Sequence, residues 1–314
     1  MREIATLDAR DRATLLAFAG VVVVAGLNFV AVRFSNRELP PFEGACVRFA
    51  LAAALFGAYA RVRGIALPRG RGLVGAALFG VLGFLGSYAL AYWGLVSAPA
   101  GMGSLAFALV PLITAFLVAV HGLEPLRPRG IAGGALALVG IAVVFADQIS
   151  LAVPPVALVA LLGAAVCAAE SGVVVKYFPR SHPAATNTVA MALGATLLAL
   201  LSVAVGERWT LPTTATTTIA VAYLVVSTIA LFALALYVLG RWTASAASFQ
   251  FPLSPLVTVS AAALVAGERV SLTFVAGGVL VLAGVAVAAL DRGRTAERTT
   301  APARESRPGV RLTS

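Results

Sequence analysis

Two ionisable side chains sit where an apolar chain offers them no water. Glu170 lies inside the run Cys167-Ala168-Ala169-Glu170-Ser171-Gly172, and Arg48 lies inside an apolar stretch that begins near Glu43. A carboxyl group in hydrocarbon must face protein or a water-filled cavity and find a partner. Glu170 is therefore a candidate to hold a proton or a substrate amine, with a structural ion pair or a neutral, hydrogen-bonded acid as the alternative. Arg48 can grip a substrate carboxylate, or a protein carboxylate in one of two conformations. Its alternatives are snorkelling to the interface or pairing with Glu43.

Weaker polar groups surround these two in sequence. Asn28 and Gln250 are single amides in apolar runs, able to meet a zwitterionic ligand or to hydrogen-bond across helices. Tyr88 and Tyr92 stand four apart and share a helix face that can wall a pocket. The candidate substrate-binding set is thus Asn28, Arg48, Tyr88, Tyr92, Glu170, Ser171 and Gln250, with Glu170 also the candidate proton-coupling group. Pro111, Pro252 and Pro255 fall inside apolar runs, where a missing amide can make a hinge. Gly80, Gly83, Gly86, Gly133 and Gly134 indicate close helix packing. Neither metal-ligand spacing nor a nucleophile–histidine pattern occurs. Cys46 and Cys167 read as small packing residues, and no catalytic residue or cofactor is expected.

These residues need a membrane-spanning scaffold. The chain is 60% hydrophobic and 11% charged, with a mean hydropathy of +0.97. Soluble domains carry about 25% charge, so lipid must solvate most of this surface. The net charge of +10 sits in short loops and tails, so it speaks to topology and not to nucleic acid. Ten stretches are long enough to cross about 30 Å of hydrocarbon: 13–33, 43–60, 72–94, 101–120, 130–147, 155–177, 184–205, 216–239, 246–266 and 272–290. With the N-terminus inside, 18 of the 23 basic residues fall on the cytoplasmic side and four on the other. That bias predicts both termini in the cytoplasm, in a cytoplasmic membrane. Trp93 and Trp209 then anchor the outer interface and Trp242 the inner one.

Residues 104–144 recur at 248–288 without a gap, about 16 of 41 positions being identical. Ser104, Pro111, Thr114, Glu124, Gly133 and Gly140 meet Ser248, Pro255, Thr258, Glu268, Gly277 and Gly284. Upstream, a shift of 143 pairs Gly20 with Gly163, Arg33 with Lys176 and Pro40 with Pro183. Five spans per copy force the second copy to insert upside down. The expected fold is all-α, with ten transmembrane helices as two inverted five-helix repeats. Its parts are a segment 1–12, repeats 13–147 and 155–290, and a disordered basic tail 291–314. Inverted repeats place a substrate site between the halves near mid-membrane. Glu124 and Glu268, at twin helix ends, read as end signals or loop ion-pair partners.

On Gly26-Leu27-Asn28-Phe29-Val30, Arg48-Phe49-Ala50 and the twin elements Pro111 to Glu124 and Pro255 to Glu268, the chain resembles EamA-type transporters of the drug/metabolite transporter superfamily. The resemblance covers about residues 13–290. It implies an inverted-repeat carrier that exports or exchanges small metabolites such as amino acids by alternating access, with lipid, a small-molecule substrate and protons as partners. Where the sixth helix of that family has an aromatic residue, this chain has Ala169-Glu170-Ser171. A multidrug or other metabolite exporter is the alternative. A passive channel lacks its rings of charge here, and a membrane-embedded enzyme lacks clustered acids, with only His121 and His182 available, both expected in inner loops.

Overall fold

A computed structural model describes residues 9–122, 128–150, 153–179, 181–239, 250–268 and 270–300. All regular structure among the described residues is helical, as it must be where no water can satisfy backbone groups. The helices are α1 (Ala9–Ser35), α2 (Pro41–Val62), α3 (Arg71–Phe79), α4 (Ser87–Ser97), α5 (Ala100–Ala108), α6 (Val110–Val120), α7 (Pro128–Ser150), α8 (Pro155–Tyr177), α9 (Pro183–Ala204), α10 (Ala215–Leu239), α11 (Gln250–Val265) and α12 (Leu272–Thr300). A π segment, Gly80–Gly86, joins α3 to α4 in one rod, and α5 and α6 form another. Among the described residues, six stretches are long and apolar enough to cross a membrane: Arg12–Ser35, Pro41–Val62, Arg71–Ser97, Ala100–Val120, Pro155–Val175 and Pro183–Ala204. Four shorter apolar helical stretches lie within α7, α10, α11 and α12.

Prolines start several of these helices. Pro41, Pro155 and Pro183 occupy first-turn positions, where the missing amide would have had no partner. Inside helices the effect differs. Pro111 begins α6 just after a break at Leu109. Pro255 lies within α11, and the Phe251 carbonyl that its ring deprives of an amide accepts the Ser254 hydroxyl at 3.0 Å. Helix α12 stays helical to Thr300, past the limit at 290 set by the apolar pattern, because Ala, Arg and Glu continue a helix without hydrophobicity. Residues 301–314, Glu124 and Trp242 lie outside the described residues.

Counted as ten rods along the chain (α1, α2, α3–π–α4, α5–α6, then α7 to α12), the principal contacts repeat themselves. Rod 1 packs on 8 and 9, as 6 packs on 3 and 4, while 2 meets 7, 4 meets 9 and 5 meets 10. Adding five to every number returns the same set, which is the pattern of a two-fold relation between halves. The α7–α12 contact shows its hand. A Cβ on Gly140 would lie 2.6 Å from the Gly277 carbonyl oxygen, and one on Gly284 would lie 2.4 Å from that of Gly133. Gly133 and Gly277 are repeat-mates, as are Gly140 and Gly284, so each position clasps the other's twin. Residue numbers rise along one helix as they fall along the other, so these equivalent helices run antiparallel.

The interior is built mainly from alanine and branched aliphatics, with Phe49, Tyr92, Met102, Leu158, Leu161, Met191 and Leu198 fully buried. Large apolar side chains face outward, among them Leu16, Leu138, Val203 and Leu264, which suits lipid and not water.

The clasp predicts a sharp contrast between glycines. Gly140→Ala and Gly284→Ala should each destabilise the protein by about 1–3 kcal/mol through overpacking. Gly134→Ala, with no heavy atom within 4 Å of its added carbon, should be silent. Thermal melting of the detergent-solubilised protein reads the difference.

Candidate functional site

The site grows from α2. Its buried face carries Arg48, which is only 2% exposed although it is the largest fully buried side chain. Its Nε donates to Thr228 Oγ1 on α10 at 2.8 Å. The guanidinium carbon stands 5.3 Å from the Phe49 ring centroid and 5.2 Å from that of Tyr88. Tyr92 and Tyr223 also act electrostatically on it. Arg48 makes no ion pair with a described residue. It does not snorkel, and Glu43 is occupied elsewhere, so neither structural alternative foreseen from the sequence describes it.

The aromatic wall is rigid. Phe84 and Tyr88 stack with ring planes 7° apart, and Phe49 packs edge-on against both, at 5.0 and 4.5 Å. The π segment sets that register. It widens the third rod where Gly80 faces Ala190 of α9, Gly83 faces Ser171 and Gly86 faces Cys167 of α8. Tyr92 is completely buried, and Arg48 is the neighbour that its hydroxyl meets. A buried cation with no acidic partner among the described residues thus sits beside a buried hydroxyl, and the two offer donors of the kind a carboxylate accepts.

Helix α1 lines the neighbouring side. Ser227 donates to Asn28 Oδ1 at 2.7 Å, Tyr223 donates to the Val24 carbonyl at 3.0 Å, and Thr258 of α11 donates to the Gly26 carbonyl at 2.9 Å. Gly26 permits this approach, since a Cβ there would lie 2.7 Å from Val257. Arg48, Tyr88 and Tyr92 therefore come together, with Asn28 joined through α10. Tyr223, Ser227 and Thr228 complete the group and escaped the sequence reading. Their signal was present as three hydroxyls within six residues of an otherwise apolar span.

The remaining candidates lie elsewhere. Glu170 Oε1 is 3.3 Å from His121 Nε2, and Ser171 donates back to the Ala168 carbonyl at 2.7 Å. Gln250, half-buried at the start of α11, has no described contact that draws it to Arg48. His121 closes α6 and His182 caps α9, where its Nδ1 accepts from the Ala184 amide. Cys46 and Cys167 are free thiols, and no group of three or more metal-ligating side chains occurs among the described residues.

At one end of the bundle carboxylates meet backbone amides across the two repeats, some of them the free amides of helix N-termini. Glu268 accepts from the first amide of α5, Ala100, with both oxygens at 3.0 Å and lies 3.4 Å from Arg33. Glu207 accepts from the Phe42 and Glu43 amides of α2, while Glu43 accepts from the Thr210 amide. Gly206, at φ 74°, ends α9 and turns Glu207 into this position. Glu38 accepts from the Thr213 and Thr214 amides leading into α10. Each of these carboxylates crosses from one repeat to the other. A crevice of about 170 Å³ opens among Arg33, Asn36, Arg37 and Glu268. Asn36 donates to the Tyr92 carbonyl at 2.8 Å, which ties the crevice to the helix that carries Tyr88 and Tyr92. Trp209 donates to Ser202, and Trp93 is partly exposed at this end.

Three similarities bear on this arrangement. The sequence profile of the EamA-like transporter family matches residues 12–146 and again 155–290. The "Probable terminal-alkyne amino-acid exporter" of Streptantibioticus cattleyicolor is 40% identical over 81 residues, or 26% of this chain, and the match spans about a quarter (27%) of that protein's length. A solved crystal structure of a protein superposes with a TM-score of 0.62 at 21% identity, covering 90% of this chain and 98% of that one. The last is a likeness of fold.

The seam predicts an acid response. The Thr214 side chain and the Thr213 amide hold the exposed Glu38 carboxyl down from an ordinary 4.5 to about 2. A lowered value means the ionised form favours the folded seam. Its contribution is complete above pH 4.5 and is lost as the pH falls to about 2. Glu38→Gln should melt below wild type at pH 6, and the gap should close between pH 4.5 and 2 in thermal melts.

Proposed function

The chain belongs to the EamA-like transporter family, and on that premise we propose that it is a secondary carrier exporting small carboxylate-bearing metabolites, amino acids foremost, across the cytoplasmic membrane. One observation carries this reading: Arg48 is buried and without an acidic partner among the described residues. Removing a guanidinium from water costs several kcal/mol (order of magnitude). Cation–π contacts recover only about 0.5–2 kcal/mol each. A substrate carboxylate is the missing partner, and its binding during transport would offset that cost. Tyr92 offers it a hydroxyl, the Tyr88 and Phe49 faces take apolar substance, and Asn28 stands by for a polar end.

Alternating access supplies the mechanism. In this reading all ten rods cross the membrane, repeats 13–147 and 155–290 are inverted, and both termini are cytoplasmic. The Glu268 end faces outward and is the closed end in this conformation. Breaking the carboxylate seam opens it, with hinge bending at Pro111 in the fourth rod and at Pro252 and Pro255 in the ninth. Protons are the proposed coupling ion, with Glu170 as their carrier. The export direction is supported by the named activity of the Streptantibioticus relative. A buried Arg48 disfavours cationic drugs, so the multidrug alternative narrows to neutral and anionic compounds.

Counterflow in proteoliposomes, with a radiolabelled amino-acid panel, tests the assignment. Saturable exchange of at least one amino acid is expected. Arg48→Gln should raise its half-saturation concentration about 10- to 100-fold, as loss of about 1.5–3 kcal/mol from a charge-assisted hydrogen bond requires. Unaltered saturation in a folded Arg48→Gln protein would remove Arg48 from the site.

A further inference from the structure

Apart from the Arg48 cluster, His121 and Glu170 meet in a geometry with a chemical consequence. His121 caps the C-terminus of α6, and its Nδ1 lies 2.7 Å from the Leu117 carbonyl oxygen. A carbonyl oxygen only accepts, so Nδ1 must carry a hydrogen. That fixes the tautomer. A neutral ring then turns the lone pair of Nε2 toward Glu170 Oε1, 3.3 Å away, and an ionised carboxylate turns a lone pair back. Two lone pairs repel, so the contact stands only with one hydrogen between them. Imidazolium with carboxylate and imidazole with carboxylic acid contain the same single exchangeable proton.

A second observation points to the same ligand. The other carboxyl oxygen, Glu170 Oε2, is buried and has no hydrogen-bond partner among the described residues. No described neighbour therefore compensates a negative charge on this group except what binds between it and His121. Helix α8 packs against α3, the π segment, α4, α5, α6 and α7. The described titratable or charged side chains on those elements are Arg71 on α3, Tyr88 and Tyr92 on α4, His121 on α6 and Asp147 on α7. Cys167 and Tyr177 lie on α8 itself. Among them His121 is the one that pairs with Glu170: Tyr88 and Tyr92 act on Arg48, and Asp147 accepts from Ser271.

We propose that His121 and Glu170 form a proton-binding site that ties the end of α6 to α8. Binding takes one H⁺ from water at this end and changes the pair's net charge from −1 to 0. Release leaves two facing lone pairs and unties the helices. The α6–α8 contact is the repeat-mate of the α1–α11 contact, so the tie acts on a helix pair that an inverted-repeat carrier must move. The site deepens the carrier reading, on which it rests for its effect in transport, but the proton site itself can be read without any substrate.

The chain has two histidines, which makes a direct test practical. The full chain is labelled with ¹⁵N-histidine and reconstituted in lipid bilayers. His182→Asn, which keeps a side-chain acceptor at the α9 cap, identifies the other ring. The expected His121 spectrum has Nδ1 protonated throughout the pH range studied. Its Nε2 resonance should shift on Glu170→Gln, while Nδ1 and His182 stay put. An unprotonated Nδ1, or an Nε2 resonance indifferent to Glu170→Gln in folded protein, would overturn the proposal. His121→Gln gives a second reading if Glu170→Gln fails to fold: proton release on alkalinisation of the purified protein should fall by one per chain, and an unchanged count would equally overturn it. For the role in transport, wild-type protein should accumulate amino acid when a pH gradient is imposed, and Glu170→Gln should lose that accumulation. Absent counterflow in wild type counts against the carrier, whereas wild-type counterflow without pH-driven accumulation counts against the coupling role.

Discussion

A guanidinium shut away from water, with hydroxyls and a set of ring faces for company, is the constraint on which the rest of the molecule turns. Arg48 is too costly to be left incomplete in a merely structural protein. The elements around it are arranged so that it cannot complete itself. Glu43, five residues earlier on the same helix, is held by the Thr210 amide. Glu170 is committed to His121. Thr228 takes Nε alone. What remains around Arg48 is the Tyr92 hydroxyl and the ring faces of Phe49 and Tyr88.

Two kinds of contact hold the surrounding bundle, and they differ in how they can be undone. Glycine-to-backbone packing, as between α7 and α12, is shape-locked and gives no chemical handle. Such contacts join helices that must move as one body. Carboxylates on helix N-termini are the opposite case: each is a small set of charge-assisted hydrogen bonds that water can replace group by group. Glu38, Glu43, Glu207 and Glu268 all bridge the two repeats at one end. A carrier needs rigid bodies and releasable seams, and the chemistry divides along that line. The His121–Glu170 pair adds a seam that depends on a proton.

Much of this was legible in the sequence because membranes simplify the code. The register of Gly133 and Gly140 with Gly277 and Gly284 announced a duplication, and the structure shows those glycines touching each other's twins. Glu268 at a helix end, read as an end signal or ion-pair partner, is both: it caps α5 and pairs with Arg33. The site was harder. Arg48, Tyr88 and Tyr92 stood out by type, but Thr228, Ser227 and Tyr223 did not, since a hydroxyl in an apolar helix usually bonds to its own backbone. Thr228 does so too, to Leu224, while also receiving Arg48. Glu170 was expected to face a partner, and nothing in the spacing of residues 121 and 170 could disclose that the partner closes α6. The π segment was equally hidden, for glycines at 80, 83 and 86 read as packing until the widened turn places Phe84 over Tyr88.

Paired spin-label distances across both ends of the bundle, measured in lipid with and without amino acids, test the central claim most directly. One pair would report from Arg37 to Val270 at the Glu268 end, and another from Val62 to Tyr177 at the opposite end. An alternating-access carrier predicts two populations in which the first distance lengthens as the second shortens, with their ratio shifted by substrate. A single unchanging distance at each end, in protein that binds amino acids, would contradict it.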